Sequence, residues 1–322
     1  MAHRKFLSFC SIVVFSIFLA SSCSKSEEVD NDSIEGLENT DETSAELQAA
    51  KALYQDYYMA SQSGNADEPW SGGDLTQCEM GSVPNGTLEK IVRRITYYRK
   101  VVGLENDLMV SSTKSEKAQA AALMMDANNR LDHFPSDDWS CYSDDGHEGA
   151  GSSLLTMTHS AAAIDSYMRD AGSSNGHVGH RRWLLYPRLA EIGIGNTSGA
   201  NAIWVLGNNA PRPDDAPEFI AWPAKGYVPN NLVFDRWSFS VADADFSNAS
   251  VTMQSGDGDT ITLNLETLNN QFGDRTLVWV PDGIDKTVGD NRPTYTVEVS
   301  NVDVDGVLQD FSYEVILFDP NE

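Results

Sequence analysis

The spacing of apolar residues along the chain changes near Pro223. Upstream of this proline, apolar residues recur every three or four positions, as they do on one face of a helix. Downstream they alternate with polar residues, which is the pattern of strands in a sheet with one buried face. The change divides the folded part of the chain into two predicted domains, residues 47–222 and 223–322.

Helical periodicity dominates the first half of the chain. The predicted helices are residues 44–60, 87–102, 117–129 and 160–171. Leu88 and Ile91 belong to the apolar face of the second helix, and Gly103 stands where glycine favours a helix end. Thr113 and Glu116 form a capping-box pattern before the third helix. Short strands are predicted to follow at residues 190–195, 202–207 and 218–222. Helices followed by antiparallel strands indicate an α+β fold.

The second domain is predicted to consist almost entirely of strands. Their positions are residues 237–241, 249–253, 261–265, 277–280, 295–299 and 312–318. Turns rich in Asp, Gly and Asn separate them. Short antiparallel strands at this density predict an all-β sandwich of the immunoglobulin-like type. We expect it to act as a spacer or as an accessory binding module.

The first residues have the pattern of a secretory signal. Basic residues are followed by an apolar stretch at 6–20, which is too short for a comfortable membrane span, so residues 1–22 are predicted to be cleaved. Cys23 follows small residues and resembles a lipobox cysteine, which would become the diacylated N-terminus. An ordinary signal peptide with an incidental cysteine is the alternative. A lipid at Cys23 would make the membrane a partner of the protein through an anchor that does not span it.

Residues 23–46 are predicted to form a disordered tether, because they are rich in acidic residues and poor in bulky apolar ones. Acidic residues close behind a lipidated cysteine also resemble the surface-export signal of some Bacteroidetes lipoproteins. We therefore expect an outer-membrane or cell-surface lipoprotein, on the periplasmic or the extracellular side.

The chain has 22 basic and 48 acidic residues, a formal net charge of −26. This charge argues against nucleic acid as a partner and against docking on anionic lipid. Four cysteines are present, of which one leaves with the signal and one is the lipidation candidate. Cys78 and Cys141 remain and are predicted to form a disulfide in an oxidising compartment, with two free buried thiols as the alternative.

His177 and His180 lie in a glycine-rich turn that is followed by Arg181, Arg182 and an apolar run. A turn that presents an imidazole and leads into a packed strand would place a polar group at the edge of a cleft. We expect the two arginines to bind carbonyls or carboxylates of the protein itself, because the chain is too acidic to favour an anion site. We expect His177 to be a surface residue.

Four segments, in the expected order, resemble the motifs of a bacterial CAP domain (SCP/TAPS; cysteine-rich secretory, antigen 5 and pathogenesis-related). These segments are residues 95–104, 119–133, 179–181 and 192–195. The resemblance implies a three-layer α-β-α sandwich whose cleft bears two histidines and two acidic residues. By motif, the histidines are His133 and His180. Asp170 stands at one acidic position, whereas Ser152 occupies the position where the family has Glu.

The resemblance also implies that the cleft sometimes binds a divalent cation. His133 and His180 would be the ligands, and imidazole suits zinc, but two histidines with at most one carboxylate make an incomplete shell. We expect no certain cofactor and leave zinc open, and we leave open whether the protein is an enzyme. The favoured function is binding of an extracellular ligand or partner in the cleft. The alternative is a metal-assisted, peptidase-like hydrolase that uses the histidine pair.

Overall fold

The structure is a computed structural model that describes residues 44–207 and 209–322. The predicted signal peptide, the lipidation site Cys23 and nearly all of the predicted tether lie outside the described residues. Residues 44–207 and 209–322 pack as one compact unit. Among the described residues, no helix has both the length and the apolar character needed to cross a membrane.

The α-helices of the described residues all lie before residue 185. They are α1 (44–53), α2 (Asn85–Val101), α3 (Ser112–Asn128), α4 (Asp144–Ser152), α5 (Ala161–Arg169) and α6 (Gly179–Leu184). A π-helix, Tyr54–Tyr58, continues α1. The capping box predicted at Thr113 and Glu116 is wrong, because α3 begins at Ser112 and both residues lie inside it.

Six strands belong to the first domain. They are β1 (Ser71–Asp74), β2 (Glu79–Ser82), β3 (Met109–Val110), β4 (Ser153–Thr156), β5 (Glu191–Asn196) and β6 (Asn201–Trp204). The first two form a hairpin, and the others form a sheet in the order β3-β5-β6-β4. The disulfide between Cys78 and Cys141 is confirmed, and it joins the β1–β2 turn to the segment between α3 and α4.

The sheet of the first domain separates two apolar clusters, as the predicted α-β-α sandwich requires. Adjacent residues of a strand point to opposite faces of its sheet. Leu154 of β4 therefore packs in one cluster with Ile91 of α2, while Leu155 packs in the other with Ala121 of α3. A Cβ on Gly195 would lie 2.2 Å from the backbone of Ala118. Glycine at this position lets α3 pack directly on β5, which explains the Gly-rich strand motif.

The second domain is a β-sandwich. Its strands are β7 (Ile220–Trp222), β8 (Gly226–Pro229), β9 (Trp237–Val241), β10 (Ala244–Asp245), β11 (Ser250–Ser255), β12 (Leu263–Leu265), β13 (Arg275–Pro281), β14 (Thr294–Val304) and β15 (Val307–Phe318). One sheet has the order β12-β13-β9-β7, and the other has β10-β14-β15-β8 with β11 also paired to β14. The buried rings of Trp237 and Trp279 belong to the core between the sheets. Most pairs are antiparallel as expected, but β15 pairs with β8 in parallel.

The strand β7 lies in the sandwich, although the sequence placed it in the first domain. Ile220 pairs with Ser240 of β9, so the boundary expected at residue 222 falls inside the sandwich sheet. The alternation of apolar residues identifies a strand, but it does not tell which sheet the strand joins. The two domains are therefore better described as residues 47–219 and 220–322 than by the expected bounds.

Candidate functional site

Asp170 and His180 form a buried acid–imidazole pair. Asp170 follows the last residue of α5 in a left-handed backbone conformation, with φ 50°, and its side chain is fully buried. Its Oδ1 lies 2.8 Å from Nδ1 of His180, and its Oδ2 accepts the backbone N–H of His180 at 2.9 Å. Because the carboxylate accepts, Nδ1 carries the proton and Nε2 is left for a ligand.

His133 is held in the same manner by a different acceptor. It lies in the segment after α3, and its Nδ1 is 2.9 Å from the carbonyl oxygen of Ala150 in α4. A carbonyl only accepts, so Nδ1 again carries the proton. Both histidines therefore have the same tautomer, with Nε2 as a hydrogen-bond acceptor.

The two histidines line one cleft of about 470 Å³, together with Ser152 at the end of α4. An adjoining depression of about 320 Å³ is also lined by both histidines and adds Asp170. The structure thus brings together all four residues that the sequence placed in the cleft. The backbone oxygen of Ser152 accepts N–H groups of Val205 and Leu206, which leaves its side chain at the cleft wall.

These residues do not complete a metal shell. No group of three or more His, Cys, Asp or Glu residues that could hold a metal ion exists in the described parts of the chain. Asp170 already uses both carboxylate oxygens on His180, and the side chain of Ser152 brings no charge. Two imidazoles fall short of the three or four protein ligands usual for zinc.

The segment that carries His180 is a helix, not the expected packed strand. Gly179–Leu184 form α6, and Asp170 accepts the N–H of its second residue. An unsatisfied N–H at the start of a helix is a ready partner for a carboxylate. The carboxylate of Asp170 therefore accepts an N–H group at the start of α6 and also orients the imidazole of His180.

Arg181 and Arg182 bind protein carbonyls, as predicted. Arg181 is almost fully buried, and its guanidinium donates to the Met168 carbonyl at 2.7 Å and to the Arg236 carbonyl at 2.8 Å. Arg182 donates to the Asn269 carbonyl at 2.7 Å. Burial lowers the pKa of each guanidinium to about 10, so both stay charged at neutral pH.

His177 is part of the cleft rather than an isolated surface residue. Its ring stacks on Phe272, with centroids 4.5 Å apart and planes 8° from parallel. Burial lowers the pKa of His177 below its ordinary value, outweighing the opposing effect of Asp170. Phe272 and Gln271 also line the cleft, and sequence reasoning missed both. They lie between β12 and β13, in a loop without periodicity, and no local signal connects them to a site about ninety residues earlier.

Comparison with known proteins identifies the family of one part of the chain. The family model of the cysteine-rich secretory protein family, CAP, matches residues 92–207, and these residues form a CAP domain. CAP domains are typically secreted or extracellular. No curated protein matches the chain. CopC from Methylosinus trichosporium OB3b has a solved structure with 19% sequence identity and a TM-score of 0.25, over 32% of this chain and 91% of that chain. A similarity at this level does not define a fold.

Proposed function

We propose that this CAP-domain protein is an exported, lipid-anchored protein that binds an extracellular ligand or partner in the cleft of His133 and His180, without catalysis. One observation carries this proposal: the two imidazole rings are held in the same way. Each is held through Nδ1 by a buried acceptor, so both offer Nε2 to the same cleft. Acceptors fixed before a ligand arrives lose little conformational entropy on binding.

Binding fits the cleft better than catalysis because the acid–imidazole pair has no nucleophile. A histidine activates a serine when the hydroxyl lies within hydrogen-bond reach of its free nitrogen. In the described structure, no hydrogen bond joins the hydroxyl of Ser152 to His180, and the hydroxyl of Ser153 has no partner. The Glu that would supply a second base in this family is replaced by Ser152.

A screen for binding tests this proposal with three matched variants. The full-length chain is presented to arrays of oligosaccharides and of peptides, beside His133→Ala, His180→Ala and the control His159→Ala. His159 is exposed and lies outside the cleft. We expect a bound probe to lose at least about tenfold in affinity in the first two variants and none in the control. If all variants bind equally well, the ligand does not bind in this cleft and the proposal is wrong. If the protein hydrolyses a probe and His180→Ala abolishes the hydrolysis, the protein is an enzyme and the non-catalytic proposal is wrong.

A metal-assisted hydrolase is the second candidate, favoured by the Asp170–His180 pair. Histidines that bind zinc commonly donate their other N–H to a carboxylate, as His180 does here. His133 and His180 would hold the zinc through their free Nε2 atoms, and the ion would supply the polarisation of a water molecule. Elemental analysis of the purified protein tests this candidate. Zinc retained by the protein and lost from His133→Ala would favour it, whereas protein that stays metal-free at micromolar zinc would reject it.

Attachment of the anchor at Cys23 rests on the sequence of the first 23 residues. Replacing this cysteine, as Cys23→Ala, is expected to move the protein from the membrane fraction to the soluble fraction of the producing cell. Unchanged membrane association would contradict lipidation. Protease treatment of intact cells then tells whether the protein faces outwards, which the acidic residues after Cys23 favour.

A further inference from the structure

The β-sandwich forms one wall of the CAP cleft. The loop between β12 and β13, residues 266–274, brings Gln271 and Phe272 against the segment that carries His177 and His180. The sandwich was expected to be a spacer or an accessory module, but here it contributes side chains to the principal cleft. The site therefore comprises residues of both domains.

Hydrogen bonds hold this loop to the CAP domain through Arg182 and to the rest of the sandwich through Arg236. Arg182 of α6 donates to the Asn269 carbonyl at 2.7 Å and to the Asp274 carbonyl at 2.9 Å. At the start of the loop, Glu266 accepts from Nε of Arg236 at 2.8 Å. Bonds to a charged donor are the stronger kind, so the loop is fixed before a ligand arrives.

Close packing also fixes the ring of Phe272. A Cβ on Gly179 would lie 3.1 Å from Cδ1 of Phe272, so the ring rests directly on the backbone at the start of α6. The ring of His177 covers it in a nearly parallel stack. Phe272 and His177 therefore present one rigid aromatic surface at the cleft.

The sandwich also contacts the acid–imidazole pair. Arg236, which precedes β9, donates to the carbonyl oxygens of Asp170 and Gly172, both at 3.0 Å. The carboxylate of the same Asp170 orients His180. One sandwich residue thus supports the turn that holds the cleft histidine.

The described wall of the cleft of about 470 Å³ has no carboxylate, ammonium or guanidinium group, although the chain as a whole has a net charge of −26 and Asp132 and Asp170 line the adjoining depression. Its wall is made instead of aromatic rings, amides and hydroxyls. The members other than the histidines and aliphatic residues are Phe134, Ser152, Ser153, Asn175, Trp183, Gln271 and Phe272. Phe134 is 75% exposed and offers its ring to the cleft. The hydroxyl of Ser153 is buried and has no hydrogen-bond partner in the described structure.

This lining fits a ligand that is uncharged, has flat apolar faces and carries hydrogen-bonding groups along its edges. Aromatic rings offer flat apolar area, and amides such as those of Asn175 and Gln271 both donate and accept. A sugar ring combines these properties, with C–H groups on its faces and hydroxyls at its edge. An acidic glycan would be repelled by the strongly acidic protein, so the charge favours a neutral glycan.

We propose that the composite cleft binds a neutral oligosaccharide, and that Phe272 and Gln271 of the sandwich are its specificity-determining residues. This inference rests on the proposed function, since it names the ligand of the same cleft. One sugar ring packs against the aromatic surface that Phe272 and His177 form together, and the amide of Gln271 hydrogen-bonds its hydroxyls. The histidine Nε2 atoms accept from hydroxyls deeper in the cleft.

Binding of defined oligomers to the full-length chain tests this inference. The probes are neutral β-linked glucose and N-acetylglucosamine oligomers, a uronic-acid oligomer, and an uncharged peptide of similar length. The variants are Phe272→Ala and Gln271→Ala, with Leu268→Ala as the control from the same loop. Leu268 is exposed and does not line the cleft. Thermal unfolding of each variant shows that it remains folded.

We expect a neutral oligomer to bind, Phe272→Ala to weaken it at least about tenfold, and Leu268→Ala to change it less than about twofold. Preference for the peptide or the uronic-acid oligomer, or no binding of any neutral oligomer, overturns the ligand class. Binding that depends on His180 but not on Phe272 or Gln271 overturns the role of the sandwich and leaves the proposed function standing. Binding that depends on neither histidine rejects the proposed function itself.

Discussion

Replacing Arg181 by methionine is expected to destabilise the protein severely. The substitution keeps an apolar stem of similar length and removes the guanidinium, which is 1% exposed. The Met168 and Arg236 carbonyls and the hydroxyl of Ser238 lose their donor, at 2.7, 2.8 and 3.1 Å respectively. Each buried acceptor left without a donor costs about 1–3 kcal/mol.

The substitution also removes a positive charge beside the buried carboxylate of Asp170. Breaking a buried ionic arrangement by removing one member costs about 3–5 kcal/mol. We therefore expect Arg181→Met to lower the free energy of unfolding by about 3–5 kcal/mol, a large share of the 5–15 kcal/mol typical of a folded protein.

Urea unfolding, followed by circular dichroism, measures this loss. Arg188→Met is the matched control, because Arg188 is exposed and donates to a single carbonyl, that of Ala210. We expect the control to cost less than about 1 kcal/mol. An equally small loss for Arg181→Met would refute the argument that this side chain is a structural connection between the two domains.

Three further changes have definite expected outcomes. Asp170→Asn removes one acceptor of His180, so ¹⁵N NMR of the imidazole should show loss of the tautomer protonated at Nδ1; an unchanged tautomer would contradict the pairing. Replacing Cys78 and Cys141 together by serine opens a loop of 63 residues and should cost about 4 kcal/mol in urea unfolding, whereas a loss below 1 kcal/mol would contradict it. Because the pKa of His177 lies below 6.5 in the folded state, the unfolded chain takes up a proton first as the pH falls. The free energy of unfolding should therefore decrease as the pH falls through about 6.5 towards the folded pKa, and less so in His177→Gln; identical pH profiles would contradict this.

The periodicity of apolar residues located the helices and strands that bury one face. It failed for elements whose formation depends on another interaction. The apolar stripe of α2 and the alternation of β11 and β14 are visible because each element has one buried side. The helix α4 (Asp144–Ser152) contains three glycines, whose low helix propensity hides it. The helix α6 (Gly179–Leu184) is only six residues long, and a buried carboxylate from another segment stabilises its start.

The residues of the candidate site likewise fall into those that the sequence could identify and those that it could not. His133, His180, Asp170 and Ser152 were found because they occupy positions in motifs of one domain. Phe272 could not be found, because its role depends on how the sandwich packs against α6, and packing between domains leaves no periodic trace in either. Sequence reasoning did identify the arginines after His180 as carbonyl-binding groups, but not that carbonyls of the other domain are among their acceptors.

The interdependence of the two domains predicts that the CAP region does not fold normally by itself. A chain that lacks residues 220–322 leaves the guanidinium of Arg182 without either of its loop carbonyls and deprives Arg181 of two of its three acceptors. It also removes the donor that holds the carbonyl of Asp170, and with it the support of the turn that orients His180. Buried charges without partners are costly, so we expect the shortened chain to show no cooperative thermal unfolding. A shortened chain that unfolds cooperatively, and in which His180 keeps the tautomer of the intact protein, would show that the CAP domain positions its cleft alone.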